Sequence, residues 1–171
     1  TKIAEFTDIG EASGMVVLDV QTNTIISEVV TGPNPVHAVI PPDGNRAYVA
    51  NNLPGFNSPV IVLDLMTNTQ IVQIPAGDGS LYIAAAPDGK CVYVTNNNQN
   101  TVSVIDTRTN TKIKDIPVGD TPIQVVVTPD GKLVLVSNFG DMSLSAIDAA
   151  TNTKIGDIQV GMQPGSIAVL P

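Results

Sequence analysis

Short apolar runs separated by turn-forming residues recur along the whole chain, about one run every ten residues. In the third of four similar stretches, the runs are Leu81–Ala86, Val92–Thr95, Val102–Asp106 and Lys112–Val118. A Pro-Asp-Gly, an Asn-rich segment and a Thr-Asn pair separate them, and these residues favour tight turns. Because no 3.6-residue period occurs, the pattern predicts four short antiparallel strands in each stretch.

Several markers repeat in one register. Thr-Asn-Thr occurs at 22–24, 67–69, 109–111 and 151–153, Pro-Asp-Gly at 42–44, 87–89 and 129–131, and Val-x-Asn at 49–51, 94–96 and 136–138. Successive copies are 45 or 42 residues apart, which is the length of one propeller blade. The middle strands, such as CVYV and VSVI, are apolar on both faces and fit a sheet between two neighbours. The sequence therefore predicts an all-β protein, a β-propeller of four-stranded antiparallel blades with four blades in this chain.

The two ends of the chain complement each other in this pattern. We predict one domain, 1–171, with blade units 1–32 plus 162–171, 33–77, 78–119 and 120–161. Residues 1–8 take the place of a second strand, and 164–170 (PGSIAVL) match a first strand. Pairing of these ends would close the ring and protect its edges. Three forms stay open: a four-bladed ring, half of an eight-bladed dimer, and a fragment of a longer propeller.

The stretch YVTNNNQNTVSVIDTRTNTKIKDIPVG (93–119) resembles the YVTN β-propeller repeat family, and the match is weakest at 1–18. The resemblance implies four-stranded blades around a central channel. It also implies a prokaryotic extracellular or cell-surface protein, including surface-layer proteins. Members commonly close with seven blades, whereas this chain holds four.

Composition excludes several function classes. Of the residues, 43% are apolar and 14% are charged, which is typical of a folded domain. The net charge is −8 and the eight basic residues are scattered, so nucleic acid is not an expected partner. No apolar run is long enough to span a membrane, and no signal peptide is recognised in this chain, which starts at Thr1.

The titratable candidates for chemistry are few. His37 lies in a first strand, at a position that borders the channel in propellers, but it lacks further ligands for a metal site. The aspartates three residues before each Thr-Asn-Thr (Asp19, Asp64, Asp106 and Asp148) are interpreted as turn residues. Cys91, the one cysteine, is interpreted as a buried small apolar residue. We predict no catalytic residue, no cofactor and no metal.

The loops between second and third strands are the better candidates. Asn97 and Asn98 occupy this loop in the third unit. The second unit is three residues longer here, which predicts an exposed tip carrying Asn52, Leu53, Phe56 and Asn57. Insertions on a regular scaffold often carry interaction surfaces.

These observations predict a non-enzymatic structural or interaction module. It would act through protein partners or self-association at the cell surface, in the extracellular matrix or in an assembly. The alternative is a propeller that binds a small molecule or a glycan at the channel mouth. A propeller enzyme is the third reading, but His37 with Arg46 is too small a set of ionisable groups to support it.

Overall fold

The structure, a computed structural model, describes residues 2–9, 12–19, 21–53, 55 and 57–170. This part of the chain consists of β-strands and turns, without helices. The strands are β1 Lys2–Ile9, β2 Ala12–Asp19, β3 Thr24–Val30, β4 Pro35–Val39, β5 Arg46–Asn51, β6 Asn57–Asp64, β7 Thr69–Asp78, β8 Ser80–Ala85, β9 Cys91–Asn96, β10 Thr101–Asp106, β11 Thr111–Pro117, β12 Pro122–Val127, β13 Leu133–Asn138, β14 Ser143–Asp148 and β15 Thr153–Gln159.

The strands form four antiparallel sheets in chain order. The first sheet is β1-β2-β3, and the other three are β4-β5-β6-β7, β8-β9-β10-β11 and β12-β13-β14-β15. Inner strand β8 contacts both β4 and β12, and last strand β11 contacts both β7 and β15. The sheets therefore stand like blades, with β4, β8 and β12 as inner strands. The predicted all-β propeller architecture is confirmed.

The predicted turns form through local chemistry. The asparagine of each Thr-Asn-Thr is left-handed, with φ between 51° and 55° at Asn23, Asn68, Asn110 and Asn152. In the third sheet, Asp106 Oδ1 accepts the Thr109 N–H at 2.8 Å, and the Thr109 and Thr111 hydroxyls are 2.8 Å apart. The other three aspartates accept equivalent bonds. Their interpretation as turn residues is thus confirmed.

Each sheet bends at the same place. The pairing of the third and fourth strands shifts register at Val17/Leu18, Val62/Leu63, Val104/Ile105 and Ala146/Ile147, which are equivalent positions in the repeat. A β-bulge increases the local right-handed twist. Identical bulges therefore give the four sheets a common shape and let them stack face to face.

Three hydrophobic clusters join successive sheets. The first lies between sheets one and two around Met15 and Leu63, and the second lies between sheets two and three around Tyr48 and Val94. The third lies between sheets three and four around Tyr93 and Val136. Most of these side chains lose all contact with solvent, and such burial stabilises a fold by about 25 cal/mol per Å².

The chain ends differ from the sequence prediction in one respect. The N-terminal strand β1 does occupy the second-strand position, but residues 164–170 form no strand and do not pair with β1–β3. The Ile167 N–H instead bonds Gln124 Oε1 of β12, so this segment lies beside the fourth sheet. Pro164 has no N–H to donate to a neighbouring strand. Closure by pairing of the ends is therefore not formed, and the ring size stays a prediction.

Candidate functional site: the loop face

In sheets two to four, the second and third strands are joined at one end of the molecule, which we call the loop face. Its described residues are 51–53, 55, 57, 77–80, 96–101, 118–122 and 138–143. The Pro-Asp-Gly and Thr-Asn-Thr turns lie at the opposite end, which we call the turn face. The candidate interaction residues predicted from the sequence belong to the loop face.

A buried asparagine supports each part of the loop face. Asn96, the last residue of β9, has no exposed surface and donates to the Ser103 hydroxyl at 2.8 Å. Ser103 in turn donates to Asp115 at 2.6 Å, and Lys112 pairs with Asp115 at 2.8 Å. Asn138 donates to Ser145 at 2.9 Å in the same way. The asparagine that ends each YVTN-like phrase is therefore structural.

The acceptor oxygens of these asparagines are used unequally. Asn96 Oδ1 accepts the Ser80 hydroxyl at 3.1 Å, whereas Asn51 Oδ1 and Asn138 Oδ1 are buried without a partner. The residue paired with Asn96 is Ser80, but Pro35 and Pro122 hold the equivalent places. Proline has no side-chain donor, and this explains both unpaired oxygens.

One carboxylate joins the loops of two neighbouring sheets. Asp78 Oδ1 accepts the Gly55 N–H of the inserted loop at 2.8 Å and the Asn98 amide of the next loop at 3.1 Å. The insertion is also closed on itself, because the Ser58 hydroxyl bonds Leu53 N at 2.9 Å and Leu53 O at 3.2 Å. The longer loop of the second unit is thereby tied to the third unit.

The predicted interaction residues have different exposures. Asn57 and Asn98 are exposed, and Asn52 and Asn97 are half-buried. Leu53, predicted at an exposed tip, is also half-buried, because Ser58 holds its backbone against the sheet. Phe56 lies outside the described residues. Their part in binding stays a prediction.

Two apolar side chains on the loop face were not among the residues predicted from the sequence. Phe139 and Met142 are 38% and 41% exposed, in the loop of the fourth unit. The signal was present: this loop reads NFGDMS where the third unit reads NNNQNT. Large apolar side chains in a short exposed loop are common anchors of protein contacts.

The charge on the loop face has one sign. Within its segments in sheets two to four, the charged residues are Asp78, Asp120 and Asp141, and there is no Lys or Arg. Asp120 accepts the Asn100 amide at 3.0 Å, and Asp141 accepts the Asp120 N–H at 2.6 Å. The loop face is thus an ordered acidic surface.

His37 lies in the middle of inner strand β4 and is half-buried. Its ring centroid is 4.7 Å from that of Tyr82 on β8, and its Nδ1 is buried without a partner. Burial lowers the pKa of His37, against a smaller opposite effect of the Ile83 backbone, so the ring is neutral at pH 7. His37 as a channel-facing site residue stays a prediction.

The described residues contain no group of three or more His, Cys, Asp or Glu side chains placed to hold a metal ion. Cys91 is half-buried, and burial raises the pKa of its thiol. Across the described ranges there is also no helix that is long and apolar enough to cross a membrane.

Comparison with solved structures supports the propeller architecture. The chain is similar to hydrazine synthase from Kuenenia stuttgartiensis, with a TM-score of 0.80 and 28% identity over 90% of this chain and 44% of that one. It is also similar to a functionally unknown protein from Desulfotomaculum acetoxidans, with a TM-score of 0.80 and 18% identity over 96% of this chain and 55% of that one. The second likeness concerns the fold alone.

The chain therefore spans about half the length of these solved chains. None of the curated proteins compared with it matches. A family model described as YNCE-like beta-propeller matches residues 67–170, which is more than half of the chain. The chain belongs to the YNCE-like β-propeller family.

Proposed function

We propose that this chain is a non-enzymatic interaction module that binds a protein partner through its loop face. The observation that carries the proposal is the bridge made by Asp78, which links the inserted loop at Gly55 to Asn98. Because the loops are tied together, little conformational entropy remains to be lost when a partner binds. A rigid polar surface on a regular scaffold is a common arrangement for protein recognition.

The composition of the loop face indicates the kind of partner. Phe139 and Met142 are exposed apolar side chains that can enter a pocket on another protein. They are next to acidic Asp120 and Asp141, so a basic or neutral partner surface fits best. Two loop faces in contact would bring like charges together. Self-association, if it occurs, would therefore join the loop face of one copy to a different face of another.

We also propose that the module is located at the cell surface or in the extracellular matrix. The support is the resemblance of residues 93–119 to YVTN repeats, which occur in surface-layer proteins. Fractionation of cells of the source organism, followed by immunoblotting of the surface and cytoplasmic fractions, tests this location independently of binding.

The first experiment measures the mass of the purified chain by light scattering over a wide concentration range. The comparison is the double variant Phe139→Ser/Met142→Ser against Ile113→Ser, a control on an outer strand whose side chain is 52% exposed. Self-association that the loop-face variant weakens and the control leaves unchanged supports the proposal.

A second experiment tests for a protein partner other than a second copy of this chain. A photoreactive phenylalanine derivative at Phe139 is compared with one at Ile113 in extracts of the source organism. Protein adducts formed from position 139 but not from 113 support a loop-face partner. A monomer at all concentrations together with no adduct, or equal adducts from both positions, overturns the proposal.

The alternative function, a small-molecule or glycan site at the channel mouth, is favoured by one observation. The His37 and Tyr82 rings meet on neighbouring inner strands, and the buried Nδ1 of His37 is left without a partner. A saturable thermal shift with a member of a glycan and metabolite panel, abolished by His37→Ala and retained in Phe139→Ser, would favour this function over the loop-face module.

A further inference from the structure

The interfaces between successive sheets differ at the turn face. Between sheets two and three, Arg46 lies across the groove, and its Nη1 donates to the Thr107 carbonyl at 2.6 Å. The Tyr48 hydroxyl donates to Asn110 at 2.6 Å beside it. The Thr107 hydroxyl bonds the Gly89 carbonyl at 2.6 Å. A guanidinium of the chain itself therefore fills this groove.

The groove between sheets three and four is open. When the repeats are aligned, Cys91 is equivalent to Arg46. In the turn that faces it, Ala149 and Ala150 are equivalent to Thr107 and Arg108. All three replacements shorten the side chain, and the result is a cavity of about 860 Å³ lined by these three residues together with Tyr93 and Asn152. This volume is within the range of small-ligand sites.

The open groove also lacks a positive charge at the place of Arg46, because the residue there is Cys91. Asp88, Asp130 and Asp148 line it. Lys90 pairs with Asp88 at 3.0 Å and Lys132 with Asp130 at 3.2 Å, but both lysine side chains are at least 80% exposed and lie at the rim. In the described part of the chain, Asp148 has no salt bridge and accepts bonds from Thr151.

These carboxylates act on the side chains inside the groove. Burial, with smaller effects of the Cys91 thiolate, Asp88 and Asp148, raises the pKa of Tyr93 to about 12. Asp106 and Asp88 add to the effect of burial on the Cys91 thiol. The negative potential that Arg46 offsets in the preceding groove is thus offset here only by Lys90 and Lys132 at the rim.

We propose that the groove between the third and fourth sheets binds a ligand that carries a guanidinium group. The chain supplies the precedent, since its own Arg46 occupies the equivalent groove with a backbone carbonyl and a tyrosine hydroxyl as neighbours. In the open groove the Ala149 carbonyl and the Tyr93 hydroxyl hold the equivalent places. The aliphatic stem of the ligand would lie over Cys91. This site is on the turn face, and it is independent of the loop-face proposal.

The test uses the full chain and N-acetyl-L-arginine amide as the probe, with the neutral citrulline analogue as its control. Cys91 is the only cysteine, so its alkylation by iodoacetamide reports on the groove directly. We expect the arginine probe to slow alkylation several-fold in a saturable way and to raise Tm, because a ligand bound only by the folded state stabilises it. The citrulline analogue should do neither.

Two variants at Cys91 test the proposal by their effect on Tm. Cys91→Arg should restore the chain's own guanidinium, raise Tm without ligand and abolish the probe-induced shift in Tm. Cys91→Ala keeps the groove open and should retain that shift. If Cys91→Arg does not fold, alkylation of the wild-type chain still decides the matter. Unchanged alkylation up to the solubility limit of the probe, or equal protection by citrulline, overturns the proposal.

The source of the guanidinium is resolved by comparing agmatine with a short glycine-flanked arginine peptide. Tighter binding of the peptide indicates an arginine side chain of a polypeptide partner. Equal or tighter binding of agmatine indicates a small metabolite. Both outcomes support a guanidinium site, and failure of both ligands to protect Cys91 contradicts it.

Discussion

Tyr93 donates its hydroxyl to Oδ1 of Asn152, 3.1 Å away on the Thr-Asn-Thr turn of the next sheet. Tyr48 makes the same bond to Asn110 at 2.6 Å. The tyrosine of one YVTN-like phrase and the turn of the following repeat thus form one contact between sheets. In the first sheet Ala4 holds the tyrosine position, and Asn68 Oδ1 of the following turn is buried without a partner.

Removal of this hydroxyl should weaken the contact between sheets. We expect Tyr93→Phe to lower the free energy of unfolding by about 1 kcal/mol, the usual net value of one hydrogen bond. Urea denaturation measures it. Tyr82→Phe is the control, because the Tyr82 hydroxyl bonds none of the described residues, and its substitution should cost less. Equal stability of Tyr93→Phe and wild type would show that the bond contributes nothing.

Gly119, which precedes the inner strand β12 of the fourth sheet, leaves room for a buried asparagine. A Cβ at Gly119 would lie 2.5 Å from Asn138 Nδ2 and 2.7 Å from Asp141 Oδ2. We expect Gly119→Ala to destabilise the chain by about 1–3 kcal/mol, as overpacking does. Gly156→Ala is the control, since a Cβ there meets nothing within 4 Å. Similar melting temperatures for the two variants would contradict this packing.

Ser80 and Asn96 should be energetically coupled. Both side chains are fully buried and 3.1 Å apart, so loss of the serine hydroxyl leaves Asn96 Oδ1 unsatisfied. A double-mutant cycle with Ser80→Ala and Asn96→Ala should give a coupling energy of about 1 kcal/mol. The matched cycle at Pro122 and Asn138 should give a smaller value, because no such bond exists there. Equal coupling in the two cycles would refute the assignment.

His37 should make stability depend on pH below neutrality. Burial holds its pKa below the usual 6.5, so the unfolded chain takes up a proton first as the pH falls. Stability present above pH 6.5 is therefore expected to decrease as the pH falls from 6.5 through the lowered pKa. Hydrogen bonds from the turn backbone and threonine hydroxyls lower the pKa of Asp64, Asp106 and Asp148, so these groups titrate at lower pH than His37. Melting temperatures between pH 7 and pH 5 should fall less in His37→Gln than in wild type, and parallel curves would exclude His37 as the cause.

Thr128 should set the acidity of Asp130. Its hydroxyl donates to Asp130 at 2.7 Å, and this bond, with the Lys132 N–H, lowers the Asp130 pKa to about 2. Asp88 is the natural control, because Ala86 holds the place of Thr128 in the preceding unit. In an NMR titration, Thr128→Ala should raise the pKa of Asp130 towards that of Asp88. An unchanged pKa in this variant would disprove the role of the hydroxyl.

Local patterns were enough to predict the strands and turns. Every predicted strand of the third unit formed, and the asparagines of the Thr-Asn-Thr turns are left-handed as expected. These features depend on residues within one turn of each other. The loop candidates were less predictable. The exposure of Leu53 depends on Ser58. The link of this loop to the third unit depends on Asp78, which accepts bonds from Gly55 and Asn98.

The sequence by itself determined the repeat, the strand order within each unit and the turn chemistry, because apolar runs and the turn residues between them are properties of residues adjacent in the chain. Only the tertiary structure decided which contacts each repeat makes with its neighbours. It placed Tyr93 of one unit against Asn152 of the next. It also placed a proline beside each of two buried asparagines, Asn51 and Asn138. The groove between sheets three and four is open, whereas Arg46 occupies the groove between sheets two and three. Those outcomes depend on packing between residues that are far apart in the chain, and a repeating pattern alone does not specify it.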